Sequence, residues 1–146
     1  YSITGLLLFR VCWGLIGTRY ARFTNFVTRP QAVINYLKSL FNGQSRHYTG
    51  HNPAGGLMIV VLMLVLALIT LTGMATLANE GLGPLANTFF AGLSHDLLED
   101  AHEALANLML VLVAVHIAGV IISSFIHHEN LIRAMFNVRK REHQEK

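Results

Sequence analysis

The chain has 146 residues, of which 53% are hydrophobic and only 13% are charged. This composition is typical of an integral membrane protein. A single cysteine, Cys12, excludes an intrachain disulfide and any metal site built from several cysteines. The formal net charge is +3, but the basic residues flank apolar runs and do not form a surface for nucleic acid.

The first predicted span covers residues 1–17, an apolar segment with a helical pattern. At 1.5 Å per residue this helix is about 25 Å long, barely enough to cross the hydrocarbon core. The chain begins with Tyr1 and not with Met, so we expect that residues belonging before Tyr1 are missing. Arg10 lies inside the span, where its charge must either reach the nearer interface or pair with an anion.

Residues 18–52 form a polar connection that contains a short amphipathic helix. Pro30 suits the first position of this helix, and Asn42 with Gly43 suits its end. Its apolar residues recur at helical spacing, which predicts a helix in the membrane interface: Val33, Ile34, Leu37, Leu40 and Phe41. After it, Asn52 is expected to cap the next helix and Pro53 to occupy its first turn.

The second predicted span, residues 55–77, contains no charge, and Gly55, Gly56 and Gly73 permit close approach of neighbouring helices. A loop is predicted at 78–100, and the third span at 101–126. The loop has no Lys or Arg and carries four acidic residues: Glu80, Asp96, Glu99 and Asp100.

The charge distribution predicts the orientation of the chain. Ten of the eleven Lys and Arg residues lie in segment 18–52 or after residue 125. The positive-inside rule therefore predicts that loop 18–52 and the C-terminus are cytoplasmic and that loop 78–100 is periplasmic, in a bacterial inner membrane.

Two histidines in the third span, His102 and His116, are the main candidate functional residues. They are fourteen residues apart, so they share one helical face and lie roughly 21 Å apart along the axis. Histidines within a span mark functional sites by default. This spacing suits the axial ligands of two b-type haems at different depths, while a proton relay and a structural hydrogen-bond pair remain alternatives. If haem binds there, a haem propionate is the anion with which Arg10 would pair.

Three further histidines, at the ends of the predicted spans, are weaker candidates. His51 lies at the mouth of the second span, where a capping or interfacial role is expected. His127 and His128 fall at the membrane edge, where histidines are ordinarily solvated.

Four motifs carry a resemblance to a known family, in order along the chain: FRVCWGLIGTRYARF (9–23), GHNP (50–53), HEALANLMLVLVAVH (102–116) and ENLIRAMFNVRK (129–140). Together they resemble the bacterial cytochrome b561 family. The closer similarity is to its branch related to the b-type cytochrome subunits of nickel–iron hydrogenases and formate dehydrogenases.

The resemblance implies an all-α bundle of four transmembrane helices, of which this chain, a single membrane domain over residues 1–146, contains three with short interfacial helices. It also implies that His102 and His116 each bind one of two haems, and that the partner histidines belong before Tyr1. Arg10 would share the face of the nearer missing ligand, at the depth of the inner haem. We therefore expect the chain alone to bind haem incompletely or not at all, or with ligands borrowed from another copy in a homo-oligomer.

The implied function is a di-haem b-type cytochrome that transfers electrons between a periplasmic redox partner, such as a cytochrome, and the quinone pool. It would be an electron-transfer subunit or a component of a quinone-linked oxidoreductase. One alternative is oxidation of a small reductant such as superoxide with quinone as acceptor. Another, from a different class, is a non-redox membrane assembly module.

Overall fold

The computed structural model describes residues 1–18, 21–42 and 52–126. They form five α-helices and one 3₁₀ turn, and these ranges contain no β-strand: α1 (Ser2–Ile16), α2 (Phe23–Phe26), α3 (Pro30–Phe41), α4 (Pro53–Asn79), the turn Phe89–Gly92, and α5 (His95–Ile126). The prediction of an all-α helical bundle is confirmed.

Two of these helices are long and apolar enough to cross a membrane. They are Pro53–Asn79, with mean hydropathy 2.8, and His95–Ser124 within α5, with mean hydropathy 2.5. Only 11% and 0% of their most apolar stretches are buried, whereas the core helix of a water-soluble protein would be mostly buried. Helix α1 is also apolar but has 15 residues, fewer than the roughly 20 that a membrane-spanning helix needs.

Helix α4 is the central element of the described structure. It packs along α5 and also contacts α1, α2, α3 and the 3₁₀ turn, while α1 and α5 do not contact each other within the described residues. A Cβ atom built on Gly83, in the loop after α4, would lie 3.2 Å from the Tyr1 hydroxyl. The start of α1 therefore lies at the same end of the bundle as the α4–α5 loop.

Helix α3 begins at Pro30, as the sequence predicts. Its buried side chains are Val33 and Tyr36, which are 7% and 4% exposed. By contrast, Ile34 and Leu37 from the predicted apolar face are 46% and 42% exposed. The stripe that packs thus includes an aromatic residue outside the predicted set, whereas Ile34 and Leu37 stay on the surface.

The start of α4 is fixed by its own sequence. Asn52 caps the helix, because its side-chain oxygen accepts a hydrogen bond from the Gly55 backbone N–H at 2.7 Å, and Pro53 is the first helical residue. Both features were predicted. The expectations for His51, His127 and His128 lie outside the described residues.

The α4–α5 connection is shorter than predicted, since α4 ends at Asn79 and α5 begins at His95. The Leu97 N–H lies 3.5 Å from the Ser94 hydroxyl oxygen, and Asp96 occupies the first turn, where a negative charge interacts favourably with the helix dipole. Asp96, Glu99 and Asp100 therefore lie on the first turns of α5 and not in a loop. The connection is held to α4 by the Asn79 side-chain amide, which donates to the carbonyl groups of residues 90, 91 and 93 at 3.1–3.3 Å.

Candidate functional site

His102 lies on the face of α5 that packs against α4. Its Nδ1 atom is 2.9 Å from the hydroxyl oxygen of Thr72. Its ring also lies against Gly73, because a Cβ atom built there would be 3.2 Å from Cε1 and 3.6 Å from Nδ1. Thr72 thus contacts this imidazole through a hydrogen bond. Gly73, the next residue of α4, has no side chain and so lets the ring lie against the helix.

An open cleft of about 310 Å³ lies beside this imidazole, between the end of α4 and the start of α5. Its lining combines two carboxylates, two imidazoles, a hydroxyl and a glycine: Gly73, Thr76, Glu80, His95, Glu99 and His102. Glu80, His95 and Glu99 are exposed, whereas His102 is half-buried. The cleft is therefore polar and exposed at the loop end of the bundle, and its inner end is formed by a half-buried histidine between two apolar helices.

His116 is half-buried on the same helix, fourteen residues further on. Four helical turns separate it from His102, so the two imidazoles lie at different depths and near one face. Within the described residues no hydrogen bond to His116 is found. The two predicted ligands therefore differ, because α4 holds the ring of His102 and provides no hydrogen bond of this kind for His116.

Arg10 is directed towards the connection that follows α1. Its Nη1 atom donates to the Ala21 carbonyl oxygen at 3.3 Å, and its guanidinium carbon lies 5.1 Å from the centre of the Phe23 ring. A charge inside an apolar helix is stabilised by such contacts near the interface. Its predicted role beside a haem propionate remains a prediction, and these two groups are its neighbours in the described structure.

The described residues fit one side of a bis-histidine haem site. An axial ligand needs a neutral imidazole with one free ring nitrogen, and the other nitrogen is commonly held by a hydrogen bond. His102 fits this arrangement, since Thr72 contacts Nδ1 and no hydrogen bond to Nε2 is found within the described residues. No group of three or more His, Cys, Asp or Glu side chains in the described ranges has the geometry of a metal site, so α5 offers single imidazoles.

The fold and site together define an integral membrane protein with two long apolar helices, one of which, α5, carries single imidazoles. A family model described as prokaryotic cytochrome b561 matches residues 1–138, and the chain belongs to that family. It is accordingly a membrane electron carrier that uses b-type haem. Among curated proteins and solved structures, none gives a significant match.

Several residues of this site, among them Thr72, Thr76 and His95, were not predicted from the sequence. Thr72 directly precedes Gly73, and the sequence indicated only a packing role for that glycine. The residue that Thr72 contacts, His102, is thirty positions further along the chain. His95 lies seven residues before His102, a spacing that places both on one helical face. That spacing was a usable signal, but the predicted start of the third span excluded His95 from the helix.

Proposed function

We propose that the protein is a di-haem cytochrome in which His102 and His116 each supply one axial ligand to a different haem. The observation that carries this proposal is the continuity of α5 from His95 to Ile126. Because one unbroken helix bears both imidazoles on one side, it fixes two ligands roughly 21 Å apart along its axis.

Each bound haem supplies a reversible one-electron couple between Fe(III) and Fe(II), tuned by its axial ligands and surroundings. The residues of this chain have three tasks in that chemistry. His102 and His116 hold the iron, Thr72 and Gly73 orient the first of these rings, and the apolar surfaces of α4 and α5 keep water away. An apolar surrounding limits the access of water to a haem and so sets its potential.

We further propose that the acidic end of the α4–α5 pair faces the periplasm of a bacterial inner membrane. Segment 18–52 and the tail after residue 125 contain ten of the eleven Lys and Arg residues. The positive-inside rule supports a cytoplasmic location for both. His102 then binds the outer haem and His116 the inner haem, and Arg10 is the candidate partner for a propionate of the inner one.

The acidic end supports docking of a basic protein partner there. Glu80 follows α4, Asp96, Glu99 and Asp100 follow on α5, and all four are exposed. Complementary charge accelerates encounter of redox proteins and is weakened by salt. We propose a periplasmic cytochrome or a catalytic redox subunit as this partner, and quinone as the other redox partner. The same pair of partners, a periplasmic redox protein and quinone, is what the resemblance to the cytochrome subunits of hydrogenases and formate dehydrogenases implies.

Oxidation of superoxide is the less favoured alternative. An anionic substrate would be repelled by a surface with four carboxylates and no Lys or Arg in residues 78–100. Membership of a haem-binding family also favours electron transfer over a non-redox assembly module.

The ligand assignment is tested by measuring haem content and visible spectra of the full-length protein purified from membranes. Two b-type haems are expected, and His102→Leu and His116→Leu should each remove one and largely spare the other. Asn107→Leu is the matched control, since it changes an exposed polar residue of the same helix that lies away from the face shared by both imidazoles. Retention of both haems in either single variant would refute the assignment.

A further inference from the structure

Thr72 has a position that neither the sequence pattern nor family membership explains. Its hydroxyl oxygen lies 3.0 Å from the carbonyl oxygens of Leu68 and Ile69, one turn earlier on α4. The same oxygen lies 2.9 Å from His102 Nδ1 on α5. A threonine in an apolar helix commonly donates its proton to such a carbonyl group. A threonine bonded to its own helix needs no partner on another helix. The contact with His102 is therefore made in addition to the bonds within α4.

The number of protons decides the direction of this contact. A threonine hydroxyl has one proton to donate and two lone pairs that accept. Two carbonyl oxygens lie 3.0 Å from this hydroxyl oxygen, and oxygens at that distance repel each other when no proton lies between them, so we assign the proton of Thr72 to α4 and an acceptor role to its oxygen. The Nδ1 atom of His102 then donates to it. A neutral imidazole has a single N–H, so Nε2 carries the lone pair that binds iron.

We propose that Thr72 is a positioning residue for the haem ligand His102. It accepts the Nδ1 proton, fixes the tautomer that binds iron, and restrains rotation of the ring, which Gly73 allows to lie against α4. Such an outer partner also strengthens the imidazole as an electron donor to iron, and a stronger donor favours Fe(III) over Fe(II). The inference rests on the proposed ligation of haem by His102.

The effect should be confined to one haem. His116 has no hydrogen-bond partner within the described residues, and a Cβ atom built on Gly119, one turn beyond it, meets no described atom within 4 Å. Nothing described on α4 holds His116 as Thr72 and Gly73 hold His102. Removal of the Thr72 hydroxyl should therefore change the haem on His102 and leave the haem on His116 as an internal reference.

The test compares Thr72→Val, which removes the hydroxyl and keeps the branched shape, with Thr72→Ser, which keeps the hydroxyl. The matched control is Thr70→Val, since Thr70 lies on the same helix and its hydroxyl donates to the Leu66 carbonyl at 2.8 Å. Redox titration of the haem-loaded protein, followed by visible absorption and electron paramagnetic resonance, reports each haem separately.

Thr72→Val is expected to raise the midpoint potential of the His102 haem. Loss of an outer partner typically weakens a metal site 10- to 100-fold, and each tenfold change that falls on Fe(III) alone corresponds to about 59 mV for one electron. Thr72→Ser should restore the wild-type potential, and Thr70→Val should not change it. Selective loss of the His102 haem in Thr72→Val, with rescue by serine, would also support the proposal.

Two results would overturn this inference. One is a Thr72→Val protein in which the His102 haem keeps its potential and spectrum. The other is a loss of both haems to the same extent, since a positioning role must be local. Failure of the proposed function is distinguishable, because then His102→Leu itself would retain both haems.

Discussion

Gly73→Ala adds one methyl group at the contact between α4 and the imidazole of His102. The added carbon would lie 3.2 Å from Cε1 of that ring, while carbon atoms in favourable contact are about 3.5–4.0 Å apart. The ring must therefore move away by roughly 0.3–0.8 Å, or the helices must separate by as much. Either movement disturbs the 2.9 Å contact between Thr72 and Nδ1, which weakens if it is stretched beyond about 3.2 Å.

The magnitude follows from the cost of overpacking. Inserting a methylene-sized group into a close-packed contact typically costs about 1–3 kcal/mol. If this cost destabilises the haem-bound state and not the haem-free state, affinity for the His102 haem decreases about 5- to 150-fold, since roughly 1.4 kcal/mol corresponds to a factor of ten. The helix itself should not be weakened, because alanine is a better helix former than glycine by about 1 kcal/mol. Loss of haem without loss of helix content is therefore the expected signature.

Haem titration with separate spectra for the two sites measures this effect, and circular dichroism measures helix content. Gly5→Ala is the matched control, since a Cβ atom at Gly5 meets no described atom within 4 Å and α1 does not contact α5 in the described residues. If Gly73→Ala binds both haems with wild-type affinity and spectra, the packing of His102 against α4 does not orient the ligand, and the reasoning is refuted.

Two further predictions concern charged residues. Arg10→Leu is expected to lower the potential or occupancy of the haem on His116 more than that of the other haem, because the guanidinium would stabilise its propionate; equal effects in a redox titration, or none, would favour an interfacial role alone. Neutralising Asp96, Glu99 and Asp100 together is expected to slow electron transfer with the natural partner and reduce its dependence on salt, since exposed charges act within a Debye length of about 8 Å. An unchanged rate in stopped-flow measurements would rule out docking at this end.

The long apolar helices were predictable because their signals are local. A charge-free run and an asparagine followed by proline can each be recognised from the local sequence alone. Asn52 and Pro53 begin α4 as their chemistry requires. By the same logic, the start of α5 could have been read from Ser94 and Asp96, which form a cap and an acidic first turn. It was placed six residues late because polar residues at that end resembled a loop.

The contacts of His102 could not be predicted in the same way. Thr72 and His102 are thirty residues apart, and their meeting depends on the register of two antiparallel helices, which hydropathy leaves open. Threonine in an apolar run has an ordinary explanation in a bond to its own helix, so it gives no sequence signal of a ligand partner. Tyr36 was missed on α3 for a related reason, since a polar aromatic residue fits either a packed or an interfacial position.

The register of α4 and α5 also indicates why the two histidines should behave differently. With Thr72 level with His102, the part of α4 level with His116 lies about fourteen residues earlier, near Met58. Gly55 and Gly119 lie one turn further along, and a Cβ atom on either would meet no side chain of the opposite helix. Among the described residues, α4 offers His102 a hydrogen bond with Thr72 and a contact with Gly73, and it offers His116 no hydrogen bond. Substitutions on α4 are therefore expected to change the ligand geometry at His102 more than at His116, because restraining a side chain before binding reduces the conformational entropy that binding must cost.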